Sequence, residues 1–285
     1  MITKKIILGS ANVNSLYGLR NNRISTNEFK SLLSYAYKKG VKTLDTSPVY
    51  KNSEKIIGLS KNKFNVITKI PKIPKNLKKN KIESWIRKKI INSKKKIENK
   101  FHGILLQNAE ILLSNKAKII FETLTKLKKE GNFKKIGISI YNFKTLELVL
   151  KKFNIDFVQL PYNILDQRFA NKKVVNIIKK KSIEIHARSI FLQGLLTEKE
   201  INLPKKLNKL KSALIKWKKW IQKEKVSPVS ACLEFVIKNK NIDKLVIGFN
   251  SKNNFKDVIK FKKTNIKFNN FNIKINQNLL DPRKW

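Results

Sequence analysis

The sequence predicts a single α/β domain of the (β/α)8 TIM-barrel class, and three observations predict it. Short β-branched or apolar runs alternate eight times with stretches of helical spacing. No Pro-, Gly- or Ser-rich linker interrupts that alternation. A chain of 285 residues with 41% apolar and 9% aromatic residues can bury one large core, and barrels of this class commonly reach such a length as one domain. An open doubly wound sheet is the alternative, but no G-x-G-x-x-G follows any strand candidate, so the usual dinucleotide fingerprint is missing.

In order, the strand candidates span 4–12, 41–47, 64–70, 101–108, 134–141, 156–163, 183–190 and 244–250. The first is followed by a helix over 25–40, where Ser25 and Glu28 fit a capping box. Further helices are expected over 53–60, 81–99, 116–131, 143–153, 171–181, 227–239 and 253–262. The longest insertion, 191–226, contains "KLNKLKSALIKWKKWIQKEK" and reads as an extra amphipathic helix. Its Trp217 and Trp220 fit the core or the rim of a cleft better than a partner surface. A tail begins at about residue 263, so one barrel domain accounts for residues 1–285.

Composition narrows the function classes. No apolar run approaches the roughly 20 residues that cross a bilayer, and the N-terminus lacks a long apolar segment before a cleavage site, so a cytoplasmic protein without membrane contact is expected. The single cysteine, Cys232, excludes an internal disulfide and sits in an apolar helical stretch as a buried structural thiol. The formal charge of +45 suggests a polyanion partner, yet only six of the 64 basic residues are arginine and the lysines are spread through every segment. Solvated lysine faces explain that charge, leaving salt-sensitive, non-specific attraction and no specific nucleic-acid site. No His/Cys/carboxylate cluster has metal-ligand spacing, and no G-x-S-x-G appears.

The stretch "GVKTLDTSPVY" ends a strand in Asp45 and places Tyr50 in the loop beyond. In such barrels the reactive groups stand at the C-terminal ends of strands, and "VITKI" brings Lys69 to the same mouth. An ammonium held by a carboxylate and aimed at a phenol makes the phenol a better proton donor near neutrality.

With these residues the chain resembles the aldo-keto reductase family. "LDTSPVYKNSEKIIG" is similar to the family's Asp-Thr-Ala-x-x-Tyr-Gly-x-Ser-Glu segment, "ITK" to its lysine strand and "KKIGISIYN" to its fifth strand; "DFVQLPYNILDQR" and "IEIHARSIFLQGLL" follow in register. The resemblance implies a (β/α)8 fold, an extended nicotinamide cofactor without a Rossmann domain, and reduction of an aldehyde or ketone. Carried over, Tyr50 is the general acid, Lys69 its polarising neighbour and Asp45 the partner of Lys69. The family's fourth strand typically ends in histidine, where "GILLQNAE" gives Gln107. A glutamine amide still donates a hydrogen bond to a carbonyl but carries no proton. His102, five residues earlier on that strand, should lie towards the opposite end and cannot substitute.

For the cofactor, the resemblance implies Ser139, Gln159 and Asn163 around the nicotinamide amide, with Asn142 nearby in "SIYN", which replaces the family's frequent Ser-Asn. Arg188 stands where the family has the tyrosine that stacks on the nicotinamide, and reads either as a cofactor contact or as a salt bridge in the mouth. Gly194 would let the backbone approach the pyrophosphate. Gly248, Ser251, Lys252 and Asn254 resemble the segment that holds the adenosine phosphate, favouring NADPH with NADH possible. The expected protein is a monomeric or weakly oligomeric NADP-dependent reductase of a small carbonyl compound. A weakly catalytic, cofactor-binding regulatory subunit is the alternative, and a polyanion binder the more distant one.

Overall fold

The computed structural model describes residues 2–15, 23–98, 101–268, 271, 273 and 275–285. Eight parallel strands close in chain order: β1 (Ile6–Gly9), β2 (Thr43–Asp45), β3 (Asn65–Ile70), β4 (Phe101–Leu106), β5 (Lys135–Ser139), β6 (Phe157–Pro161), β7 (Glu184–Arg188) and β8 (Lys244–Gly248). β8 pairs with β1, with Gly248 beside Gly9, so no strand edge is left open. All C-terminal ends therefore gather at one rim, as the sequence predicts. Each strand is shorter than its apolar run; β2, for example, ends at Asp45 where the run continues to 47.

Outside run α1 (Thr26–Lys38), α2 (Ser53–Gly58), α3 (Ile82–Ile97), α4 (Ala117–Lys129), α5 (Phe143–Lys152), α6 (Lys172–Lys180), α7 (Lys211–Lys223), α8 (Pro228–Lys238) and α9 (Lys252–Ile259). The capping box at α1 is present: Ser25 Oγ accepts from the Glu28 N–H at 3.3 Å, and the Ser25 N–H donates to Glu28 Oε2 at 3.2 Å. The extra helix is α7, led in by a 3-10 turn over Lys205–Leu210. Residue 99, at the end of the third predicted helix, lies outside the described residues.

One apolar layer packs between sheet and helices, and a smaller one fills the barrel itself with Ile7, Ile67, Leu105 and Phe157. Gly137 makes the room, since a Cβ there would come within 2.3 Å of the Phe157 ring. That plug divides the barrel interior into a mouth and a floor. On the floor Lys135 Nζ meets Glu184 Oε1 at 2.6 Å, and His186 Nε2 lies 3.2 Å from Glu184 Oε2 while its ring stacks on Phe157. Trp217 and Trp220 are buried and stack at 5.4 Å, with Phe268 and Phe271 of the tail against them. Glu234 of α8 fixes the tail by accepting from Thr264 N–H, Thr264 Oγ1 and Ile266 N–H.

Candidate active site

Strand ends place the key groups. Asp45 is the last residue of β2 and Lys69 the penultimate residue of β3; both are buried, and their side chains form a direct ion pair. Lys69 Nζ also donates to the Thr46 carbonyl at 2.8 Å, and the Gln159 amide donates to Asp45 Oδ2 at 2.8 Å. Asp45 is thus held from two sides. The β2–α2 loop turns tightly, with the Tyr50 N–H bonded to Ser47 O and the Ser53 N–H to Tyr50 O. That turn brings the Tyr50 ring to 5.0 Å from Lys69 Nζ, measured to the ring centroid.

Electrostatics follow from the burial. Desolvation alone would push the Lys69 ammonium down, but the Asp45 carboxylate and the Tyr50 phenol outweigh it and hold Lys69 above the ordinary lysine value. The cation is permanent at neutral pH, and its field falls on the phenol.

Supporting bonds reach outward from this unit. Ser10 Oγ donates to Asp45 O at 3.1 Å and shares a hydroxyl–hydroxyl hydrogen bond with Thr46 Oγ1 at 2.8 Å, while Ser53 Oγ donates to Ser10 O at 3.1 Å. Behind β3, Thr68 Oγ1 donates to the buried Glu54 of α2 at 2.6 Å. Sequence reasoning did not single out Ser10, Thr46, Thr68 or Glu54. Their signal was the Ser-Glu pair that opens α2, because a buried carboxylate needs a donor.

Gln107 follows the end of β4 and is exposed; its side chain hydrogen-bonds no described residue. His102 is half-buried near the start of β4, at the floor end, where burial and the neighbouring Lys135 and Lys134 push its imidazole down. Ser139 ends β5 beside Gln159 in register. Asn163 is fully buried and internally engaged: its amide donates to Ser189 O at 2.9 Å, and its oxygen accepts from the Leu165 and Asp166 N–H groups. Asn142 caps α5 by accepting from the Thr145 N–H.

Arg188 ends β7 and lies over the Tyr141 ring; among the described residues it pairs with no carboxylate, and its buried Nη2 has no hydrogen-bond partner. Gly194 adopts φ +95°, a left-handed conformation that suits glycine. Gly248 is exposed, and Ser251 caps α9 by accepting from the Asn254 N–H at 3.2 Å, with Lys252 beginning that helix. The open Gly248 and the Ser251-capped start of α9 leave backbone and helix N-terminus free at the β8 end, which fits the phosphate end of an extended polar cofactor. Gln159 and Asn163 are largely engaged within the protein.

The family model for the Aldo/keto reductase family matches residues 5–273. The chain belongs to the aldo/keto reductase family. It is thereby an oxidoreductase of a family whose general activity is nicotinamide-dependent carbonyl reduction. Two solved structures share the fold: an aldo-keto reductase from Bacillus halodurans in its holo form, 16% identical with TM-score 0.69 over 90% of this chain and 85% of that one, and the glycerol dehydrogenase from Gluconobacter oxydans, 20% identical with TM-score 0.67 over 91% and 88%. No protein of curated function matches the sequence. Among the described residues no His, Cys and carboxylate group could hold a metal ion, and no helix is long and apolar enough to cross a membrane.

Proposed function

We propose that this aldo-keto reductase reduces a small aldehyde or ketone with NADPH, in the cytoplasm, as a monomer or weak oligomer. The observation that carries the reading is the buried Asp45–Lys69 pair set against the Tyr50 ring at the barrel mouth. A bound nicotinamide would supply the hydride, held by Ser139, Gly194, Gly248, Ser251 and Lys252 with Asn254 nearby. Tyr50 then gives its proton to the carbonyl oxygen as the carbon is reduced. Lys69 stabilises the phenolate left behind, and Asp45, anchored by Gln159, keeps Lys69 charged and aimed. The Gln107 amide donates a hydrogen bond to the same carbonyl oxygen, orienting it without itself gaining or losing a proton.

Tyr50→Phe tests this directly, because it removes the proton donor and keeps nearly all the ring volume. NADPH affinity, read by fluorescence titration, should persist while turnover on a good aldehyde falls by about a hundredfold or more. Unchanged turnover removes Tyr50 from the mechanism. Gln107 also favours a second reading, a cofactor-binding subunit with little turnover; tight NADPH binding by the parent with no reduction of any carbonyl would select it.

A further inference from the structure

Three of the six arginines converge on one side of the mouth. Arg188 of β7 and Arg283 of the tail both stack on Tyr141, with Cζ at 4.1 and 3.3 Å from the ring centroid. Arg168 donates to the Tyr141 carbonyl at 3.2 Å and to Gln277 O of the tail at 2.9 Å. Two of the three are neutralised: Arg168 pairs with Asp166 and Arg283 with Asp281, each at 2.7 Å. Arg188 has no carboxylate within ion-pair distance among the described residues; it reaches only Ser189 Oγ, and its Nη2 is buried and unpartnered. Asp166 feels the Arg188 charge but already serves Arg168, and burial opposes its ionisation.

Leaving a guanidinium N–H buried and unsatisfied is costly, and the segment that follows Arg188 is itself strained. Ser189, Leu192 and Gln193 all adopt φ between +47° and +56°, a strained conformation for non-glycine residues, and Asn163 clamps the Ser189 carbonyl. From β7 the Arg188 side chain reaches towards Tyr141 beyond β5. It therefore leans away from β8, Gly248 and Ser251, where cofactor phosphates are expected, and towards the tail and the β5 and β6 loops.

We infer that Arg188 receives an oxyanion, a carboxylate or phosphate, carried by the carbonyl substrate itself at a point remote from the reacting carbon. This substrate class rests on the reductase reading above. A planar guanidinium fixed by stacking offers parallel N–H donors to such a group, and no covalent step is involved.

The test compares kcat/KM for matched carbonyls: 4-carboxybenzaldehyde against its methyl ester, and glyceraldehyde 3-phosphate against glyceraldehyde, which separates carboxylate from phosphate. The parent should favour one anionic member by about ten- to a hundredfold. Arg188→Gln should bring that ratio close to one, Arg188→Lys should keep part of it, and Arg87→Gln on the surface of α3 should leave it intact. A ratio unmoved in Arg188→Gln, or a loss confined to NADPH affinity, overturns the inference. Calorimetric titration with benzoate and phenyl phosphate at fixed ionic strength reads the same site without turnover. Binding lost in Arg188→Gln but kept in Arg87→Gln supports it even if no carbonyl is reduced, in which case only the reductase reading falls; equal binding in both overturns it.

Discussion

Two lysine–carboxylate pairs stand inside the same barrel, one on each side of the apolar plug of Ile7, Ile67, Leu105 and Phe157. At the mouth the Lys69 and Asp45 side chains are 6% and 7% exposed; at the floor those of Lys135 and Glu184 are 31% and 35% exposed. The mouth pair is sealed, braced by Gln159 and Thr46, and set against a phenol. The floor pair is about one-third exposed, and its Glu184 meets the imidazole of His186, which stacks on Phe157. Identical chemistry thus sits in two different settings. In barrels of this class the C-terminal rim carries reactivity and the N-terminal rim stability, and the difference in burial is what the proposed division of roles in this chain rests on.

The largest effect that sharpens the comparison is on stability. Lys69→Met leaves the Asp45 carboxylate buried with only Gln159 to bond it, and urea unfolding at neutral pH should show a loss of about 3 to 5 kcal/mol. The pH dependence has a definite sign. Because the folded-state value of Lys69 is raised, its contribution is fully present below the unfolded lysine value of about 10.4 and is lost as pH climbs through the higher folded value. The parent should therefore lose stability in strong alkali faster than Lys69→Met does, and parallel alkaline unfolding curves would show that the pair is not the titrating unit.

Next comes Gln107→Leu, which removes the amide donor at the rim. A loss on the order of 1 to 4 kcal/mol of transition-state stabilisation should appear in kcat/KM, whereas Gln107→His should add an ionisation near about 6.5 to the pH profile. A Leu variant that matches the parent at every pH reduces Gln107 to space filling.

The smallest effect belongs to the floor. The His186 contact and Lys135 hold the Glu184 carboxyl down at about 2. Its contribution is present above the unfolded value of about 4.3 and disappears as pH falls from there towards 2. Solvent screening of this half-exposed group keeps the contribution below about 1 kcal/mol. Melting temperatures across that window should fall more steeply for the parent than for Glu184→Gln, and an identical slope would leave the floor pair without a stabilising role.

Most of the fold was legible because barrels are written locally: each β-branched run and each amphipathic stretch becomes its own element, and Ser25 with Glu28 marks a helix start outright. Asp45, Tyr50 and Lys69 were legible for the same reason, since each stands at or just after a strand end. The bond from Gln159 to Asp45 was not, because it joins residues 114 apart across the barrel and depends on how the strands are staggered. The internal bonds of Asn163, expected beside the cofactor, were not legible either, because they depend on the loop conformation. The meeting of Arg188, Tyr141 and Arg283 was likewise hidden, because the tail has no periodic pattern from which its path could be read.

The division between mouth and floor is tested most directly by one measurement: kcat/KM at neutral pH, on one aldehyde and saturating NADPH, for Lys69→Met and Glu184→Gln beside the parent. The mouth variant should fall by about a hundredfold or more, from loss of the cation behind the phenol, while the floor variant stays within about twofold of the parent. Equal losses in the two variants, or a Lys69→Met protein as active as the parent, would contradict the assignment of the chemistry to Asp45, Lys69 and Tyr50.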